Sequence, residues 1–387
     1  MKNLAILGST GSVGTSTLKV VQENLDDFSI FLLSASSNKL KILKQISDFK
    51  PRYAFLDDKE SCKALKKECS KLGLKTEIVT DKRIYLELIT NSCVDAVVAG
   101  MVGIAGLEAI YHAVNTGKRL LLANKESYVV AGEYFNSLAE KKRATIFPLD
   151  SEHSAIHQCL NSLTEKSLEV FKVILTGSGG PFLNTKRKEL INITPKEALS
   201  HPIWNMGKKI SIDSATMMNK GLEIIEAKWL FNLDEDQIDM VIHPEGIVHS
   251  LIELKDGSSL AHLSLPDMKI PIAYALGFPK RINSGVQRLS LAEQGSLTFL
   301  EPDFEKFPCI QMAKDSLKVG GTATAALNAA NEVAVNAFLN EKIPFTMIPE
   351  VISHVMDKMQ FFPVKELDII FEADYLSRKV AKDYLKL

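Results

Sequence analysis

Cysteine is scarce in this chain of 387 residues, with only Cys62, Cys69, Cys93, Cys159 and Cys309 present. An odd number with no C-x-x-C pair indicates neither a disulfide framework nor a thiolate zinc site, and it suits a reducing compartment. No run of about 18 apolar residues suited to a bilayer occurs. Neither sign of charge is in excess: 46 Lys and Arg stand against 47 Asp and Glu, and no basic block exists. Nucleic acid and an anionic membrane are thereby excluded as expected partners, and positive charge for an anionic substrate must be local. There is no G-x-S-x-G elbow and no cysteine in a nucleophile setting. His153 and His157 have the spacing of a zinc helix, but Ser154 stands where H-E-x-x-H needs its glutamate, so His157 reads as a packed or capping residue. The N-terminus passes directly into a strand pattern without a leader or transit segment, which makes the cytoplasm the expected location.

What is present is an ordinary globular balance, 46% hydrophobic and 24% charged, on a chain long enough for two or three domains. Apolar runs at Leu4–Leu7, Ile30–Leu33, Tyr53–Leu56, Ala96–Ala99, Leu120–Leu122 and Thr145–Phe147 alternate with helical patterns, such as those at Leu40–Phe49 and Cys62–Leu72. Strands alternating with helices predict parallel βαβ units, hence an α/β fold whose residues 1–147 form a Rossmann-like doubly wound sheet. Residues 148–278 mix strands (Val173–Leu175, Val241–Ile242, Val248–Leu254, Leu260–Leu263) with helices (Ser154–Leu163, Met217–Leu230), and read as an α/β catalytic domain. Residues 279–308 are turn-rich and read as a linker. Residues 309–387 read as a helical domain, with helices at Thr322–Leu339, Ile348–Met359 and Leu367–Leu385.

The first strand runs into Gly8-Ser9-Thr10-Gly11-Ser12-Val13-Gly14, then into a helix whose Leu18, Val21 and Leu25 lie on the side of Gly14. Glycines there allow a tight turn and bring backbone N–H groups close to a pyrophosphate at the helix N-terminus. A glycine cluster alone is equally a plain tight turn; the strand–turn–helix setting is what favours a dinucleotide. An acid at the end of the second strand would hold the ribose of NAD, but Ser34-Ala35-Ser36-Ser37-Asn38-Lys39 has none. Hydroxyls, an amide and a lysine can accept a 2′-phosphate, which favours NADP; ordinary polar loop residues would look the same.

The strand at Thr145–Phe147 ends in Pro148-Leu149-Asp150-Ser151-Glu152-His153. In an extended segment Asp150 and Glu152 point to one side, at the end of a strand where open sheets bind ligands. Two such carboxylates repel unless a proton or cation lies between them, and hard oxygen ligands suit Mg²⁺ or Mn²⁺. The same repulsion predicts that neutralising one leaves metal-free stability unchanged or slightly higher. D-x-E also occurs in solvated loops. On a helix Asn219, Lys220 and Glu223 share a face. With Ser214 they could hold a phosphate and add a third metal oxygen; a surface Lys–Glu pair is the alternative. Thr176-Gly177-Ser178-Gly179-Gly180-Pro181 fits an anion-binding turn or a flexible loop. His201-Pro202-Ile203-Trp204-Asn205-Met206-Gly207 fits a lid, or a loop anchored to the core by its tryptophan.

Together GSTGSVG (8–14), LLANKES (121–127), LDSEHSA (149–155), TGSGGPF (176–182), HPIWNMG (201–207), IDSATMMNKGLE (212–223) and PDM (266–268) resemble the 1-deoxy-D-xylulose 5-phosphate reductoisomerase family, in order along essentially the whole chain. The resemblance implies conversion of that small phosphorylated sugar to 2-C-methyl-D-erythritol 4-phosphate by metal-assisted rearrangement and NADPH reduction, in the non-mevalonate isoprenoid pathway, by a homodimer. It assigns Thr10, Gly11, Ser12, Val13, Ser36, Ser37, Asn38, Asn124, Glu126 and Gly207 to NADPH. Asp150, Glu152 and Glu223 would hold the metal and Lys125 would face the substrate. Ser151 would touch the substrate's polar backbone, and Ser178, His201, Ser214, Asn219 and Lys220 its phosphate end; separately, the make-up of His201–Gly207 leads to the expectation that Trp204 closes over the bound substrate. One departure matters: the family commonly shows Gly-Lys-Asn where this chain has Ser36-Ser37-Asn38, leaving Lys39 as a substitute for the lysine. Two rivals stand beside this reading, a metal-assisted NADP dehydrogenase of hydroxy acids and a nucleotide-sensing protein with a vestigial Rossmann domain.

Overall fold

Seven short apolar runs in the first 148 residues become strands: β1 (Lys2–Leu7), β2 (Phe28–Ala35), β3 (Tyr53–Leu56), β4 (Glu77–Val79), β5 (Ala96–Ala99), β6 (Arg119–Leu122) and β7 (Thr145–Pro148). The computed structural model describes residues 1–163, 170–204 and 206–387. They divide into two units: Met1–Ser127, Phe135–Ser154 and Asp267–Gln287 form one, and Tyr128–Tyr134, Ala155–Pro266 and Arg288–Leu387 the other.

Unit one is the expected parallel sheet, in the order β4-β3-β2-β1-β5-β6-β7. The six anticipated strands are all there. The seventh, β4, is a three-residue edge strand too short to show a period. Leu4 to Leu7 are fully buried, as a strand covered on both faces requires. The strand order reverses between β1 and β5, the position where doubly wound sheets bind ligands. The helix Ser12–Gln22 buries Gly14, Leu18 and Val21. Leu25 lies beyond its end and is 56% exposed, so the expected apolar stripe stops at Val21. A segment distant in sequence, the helix Lys269–Gly277, packs against β6, β7 and that first helix. Arg119 secures it by donating to Ala275 O (2.5 Å) and Phe278 O (3.1 Å) while lying over the Phe147 ring.

Unit two contains β8 (Val170–Gly177), β9 (Ile238–Ile242), β10 (Val248–Leu254) and β11 (Ser259–Leu263) in the order β11-β10-β8-β9. Only β8 and β9 run parallel. Its core centres on the helix Ala323–Leu339, which is buried on almost every side and therefore must be surrounded. The helices Met347–Lys358 and Leu367–Leu385 pack on it, as does Lys208–Ala215. Among the described residues no helix is long and apolar enough to cross a membrane.

Candidate active site

In unit one the glycine loop is shaped by close backbone approach. A Cβ on Gly14 would stand 2.4 Å from Ser9 Cα, and one on Gly8 2.7 Å from Gly100 O, so side chains are excluded where the loops after β1 and β5 meet. Gly8 also has φ +77°. Gly11 precedes the helix Ser12–Gln22 without a side-chain cap, so the N–H groups of Ser12 and Val13 lie at a helix N-terminus suited to an anion. The loop is braced by the helix Lys39–Phe49: Ser9 Oγ and Gln45 Oε1 are 2.8 Å apart, Gln45 Nε2 donates to Ser9 O (2.8 Å) and Lys41 Nζ to Thr10 O (2.7 Å). Asn38 caps this helix through Lys41 N, while Ser36 and Ser37 are exposed at the end of β2. Asn124 caps the helix Lys125–Lys142 through Ser127 N (2.8 Å), and its amide donates to Met101 O and Gly103 O. It thereby fixes the loop that follows β5.

The segment after β7 differs from the extended form expected of the sequence. Ser151–Leu160 is a helix, three residues earlier than expected, with Asp150 immediately before it and Glu152 in its first turn. Asp150 Oδ1 accepts from Glu152 N (3.2 Å), and Ser151 Oγ donates to Glu152 Oε2 (2.5 Å). Proximity of the two carboxyls therefore comes from a helix start, not from strand alternation. Asp150 is not left to repel its neighbour: the buried Lys125 stands 2.9 Å away and the fully buried His153 ring 3.5 Å away. In the sequence His153 invites comparison only with a zinc motif. Its i,i+3 relation to Asp150 becomes visible once the helix start is placed at Ser151.

In unit two β8 delivers the chain to Gly177 and Ser178. Gly180, at φ +66°, lies so near the helix Lys208–Ala215 that a Cβ would approach Ser214 O to 2.6 Å. That helix is joined to Met218–Phe231 through Met217, a left-handed non-glycine residue at φ +61°, and such residues cluster at functional sites. Lys220 and Glu223 are both buried, which excludes the surface ion pair. Lys220 Nζ and Asn219 Nδ2 each donate to the Glu223 carboxylate. The lysine's stem runs over Gly177, where a Cβ would meet its Cε at 3.0 Å. Asp213, also buried, pairs with Lys209 (2.7 Å) and accepts from Asn331 (2.8 Å), which anchors the motif to the central helix of this unit.

His201 organises the loop that follows. Its Nδ1 accepts from Ile203 N (3.2 Å) and Trp204 N (2.9 Å), so Nε2 carries the proton and donates to Ser178 Oγ at 3.1 Å. Burial, and then the charge of Lys220, push its pKa below the ordinary imidazole value and support this neutral form. Trp204 is half-buried and, unlike Trp229, is not among the described residues packed against the unit-two core. Gly207 precedes the helix Lys208–Ala215 and has nothing within 4 Å of its Cβ position. Asn205 lies outside the described residues.

Unit one thus offers a backbone cradle and an oxygen-rich carboxylate turn without sulfur, the donor chemistry of a dinucleotide and a hard divalent cation. Unit two offers an amide, an ammonium, hydroxyls and a carboxylate around a glycine turn. Comparison with known proteins identifies the family. Residues 4–132 match the family model described as 1-deoxy-D-xylulose 5-phosphate reductoisomerase, residues 146–231 that of its C-terminal domain, and residues 263–380 that of the DXP reductoisomerase C-terminal domain. The 1-deoxy-D-xylulose 5-phosphate reductoisomerase of Nitrosospira multiformis is 47% identical, covering 100% of this chain and 98% of its own; that of Shewanella pealeana is 46% identical over 98% of each. A crystal structure of DOX-P reductoisomerase with NADPH, fosmidomycin and magnesium superposes with TM-score 0.95 at 44% identity, over 100% of this chain and 99% of the other. The Zymomonas mobilis enzyme in complex with NADPH does so with TM-score 0.92 at 36% identity and the same coverage.

Proposed function

This chain belongs to the 1-deoxy-D-xylulose 5-phosphate reductoisomerase family, and from that premise we propose that it converts 1-deoxy-D-xylulose 5-phosphate to 2-C-methyl-D-erythritol 4-phosphate with NADPH and Mg²⁺ or Mn²⁺. The observation that carries the proposal is the full-length likeness to a structure solved with NADPH, fosmidomycin and magnesium. Residues 1–147 would bind NADPH, 148–278 would carry the chemistry, 279–308 would link, and 309–387 would form the helical domain. Two copies would form a homodimer in the cytoplasm.

Thr10, Gly11, Ser12 and Val13 would line the pyrophosphate and Ser36, Ser37 and Asn38 the adenosine end, with Asn124, Glu126 and Gly207 completing the cofactor site. Asp150, Glu152 and Glu223 would ligate one cation. When bound, the cation supplies Lewis acidity at the ketone, and the nicotinamide supplies hydride to the aldehyde formed by rearrangement. Lys125, placed beside Asp150, would donate to a substrate hydroxyl or carry its proton; Ser151 would hold the polar backbone. Ser178, His201, Ser214, Asn219 and Lys220 would bind the phosphate, and the orientation thus gained acts at the distant reacting carbons. Trp204 would exclude water above them.

The test is NADPH oxidation by the pure protein with the sugar phosphate, with and without Mg²⁺ or Mn²⁺, and with carbon labelling of the substrate. The expected result is metal-dependent oxidation with a rearranged skeleton. Reduction without rearrangement would point to an ordinary dehydrogenase, and no oxidation at all would remove the enzyme reading.

A further inference from the structure

At the end of β2 this chain has Ser36, Ser37 and Asn38, none of which carries charge. A 2′-phosphate brings roughly −1.5 to −2 charges, which hydroxyls alone solvate poorly in a protein surface cleft. We propose that Lys41 supplies the missing cation and is the residue with which this chain distinguishes NADPH from NADH. The assignment rests on the NADPH reading above and deepens it.

Three observations lead there. The end of β2 and the glycine loop are neighbours: Leu7 pairs with Ser34, and Ser9 N donates to Ser34 O at 2.8 Å. Lys41 spans the two segments, since its backbone N–H goes to the side chain of Asn38 while its Nζ lies 2.7 Å from Thr10 O. Its ammonium is therefore fixed between the residues assigned to the pyrophosphate and those assigned to the adenosine. An ammonium has three donors, and Thr10 O takes one, which leaves two to aim at phosphate oxygens. Lys41 is also in the first turn of the helix Lys39–Phe49, so the positive end of the helix adds to the same field. Lys39, the substitute suggested by sequence, begins that helix and makes no comparable bridge among the described contacts. The rival role for Lys41 is a strut that merely holds Thr10, and it predicts a different outcome. A strut serves both dinucleotides equally, whereas a 2′-phosphate ligand serves only one.

The experiment is dinucleotide binding to the full chain without substrate, followed by fluorescence or calorimetry, for wild type, Lys41→Met, Lys41→Arg and Lys39→Met. Charged hydrogen bonds contribute about 1.5–3 kcal/mol, so Lys41→Met should raise the Kd for NADPH roughly 10- to 100-fold. Its Kd for NADH should rise far less, only by what the lost Thr10 brace costs, so the preference for NADPH should fall by at least about 10-fold, and Lys41→Arg should keep most of that preference. Lys39→Met should lose much less. Equal loss for both dinucleotides in a variant with unchanged Tm would make Lys41 a strut and overturn the proposal. Unchanged NADPH binding, or a larger loss in Lys39→Met, would also overturn it. A wild-type chain that binds neither dinucleotide would instead bring down the functional reading on which the proposal stands.

Discussion

The glycine loop of unit one and the Asn219–Glu223 helix of unit two would both receive phosphate, yet they are built from different materials. The loop is a backbone construction: Gly8 and Gly14 admit chain where a single methyl would collide at 2.7 and 2.4 Å. The helix presents side chains, with a buried ammonium and amide held on a buried carboxylate. A site made of backbone fails when volume is added and tolerates changes of charge nearby. A site made of buried charged side chains fails when one partner is neutralised, because the other then loses its counter-charge in a poorly solvating interior. The two regions should therefore break under different mutations.

The largest effect is expected from Glu223→Gln. Removing one of three proposed metal ligands should lower turnover by at least about 1,000-fold at saturating cation, and Asp150→Asn should do the same. Stability should fall too, contrary to what carboxylate repulsion alone implies. Glu223 is paired with buried Lys220, and breaking a buried ion pair from one side costs about 3–5 kcal/mol. Adding Lys220→Met to Glu223→Gln should recover much of that stability and none of the turnover. Denaturant unfolding alongside NADPH oxidation checks both parts. Wild-type-like turnover in Glu223→Gln would remove it from the metal site, and a double variant less stable than the single one would show that the pair is not the source of the loss.

For the backbone-built region the corresponding change is Gly14→Ala. The added methyl meets Ser9 Cα and Gly8 O, neither of which can rotate away. The loop must shift, at an overpacking cost of about 1–3 kcal/mol, and NADPH affinity should fall by roughly 100-fold. Affinity for sugar phosphate, measured as protection against proteolysis in unit two, should not change. If Gly14→Ala binds NADPH normally, the cradle is not shaped as described.

Much of this is legible in the amino-acid sequence alone. The β1–glycine–helix passage and IDSATMMNKGLE carry their chemistry within a dozen consecutive residues, so local pattern suffices. The expected NADPH and metal chemistry agrees with the solved relatives, and the parallel sheet with the fold. What escapes a reading of local pattern depends on contacts distant in sequence or on a boundary. Lys41 reaches Thr10 across 31 positions, Asn331 reaches Asp213 across 118, and the helix Lys269–Gly277 joins the first sheet through Arg119. The role of His153 is hidden by a helix start that lies three residues earlier than its pattern suggests, an ordinary uncertainty where Pro148 precedes the turn.

A smaller effect is expected at the loop of unit two. Trp204 is half-buried, is not among the described residues packed against the unit-two core, and is held at its backbone by His201. Trp204→Ala should therefore lower kcat/KM by at least about 10-fold, near 1.4 kcal/mol of transition-state stabilisation, with little change in Tm. A variant with normal kinetics, or one whose Tm falls by several degrees, would return Trp204 to the role of anchor.

The smallest expected effect tests whether this loop is set by one proton. His201 Nδ1 accepts two backbone N–H groups, and it can do so only while unprotonated. Burial and the Lys220 charge lower its pKa in the folded state. Between that lowered value and the ordinary one near 6.5, the unfolded chain binds more protons than the folded chain, so stability rises with pH across the window. The contribution is present above about pH 6.5 and is lost as pH falls through the folded value. Exchange of the Ile203 and Trp204 amides, corrected for its intrinsic pH dependence, should accordingly accelerate several-fold on acidification. Lys220→Met should move that transition to higher pH without abolishing the shift, because burial is the larger cause and remains. Corrected exchange rates that stay flat from pH 8 to well below 6 would show that the loop does not depend on a neutral His201, and a transition that moves to lower pH in Lys220→Met would reverse the assigned sign of the lysine's influence.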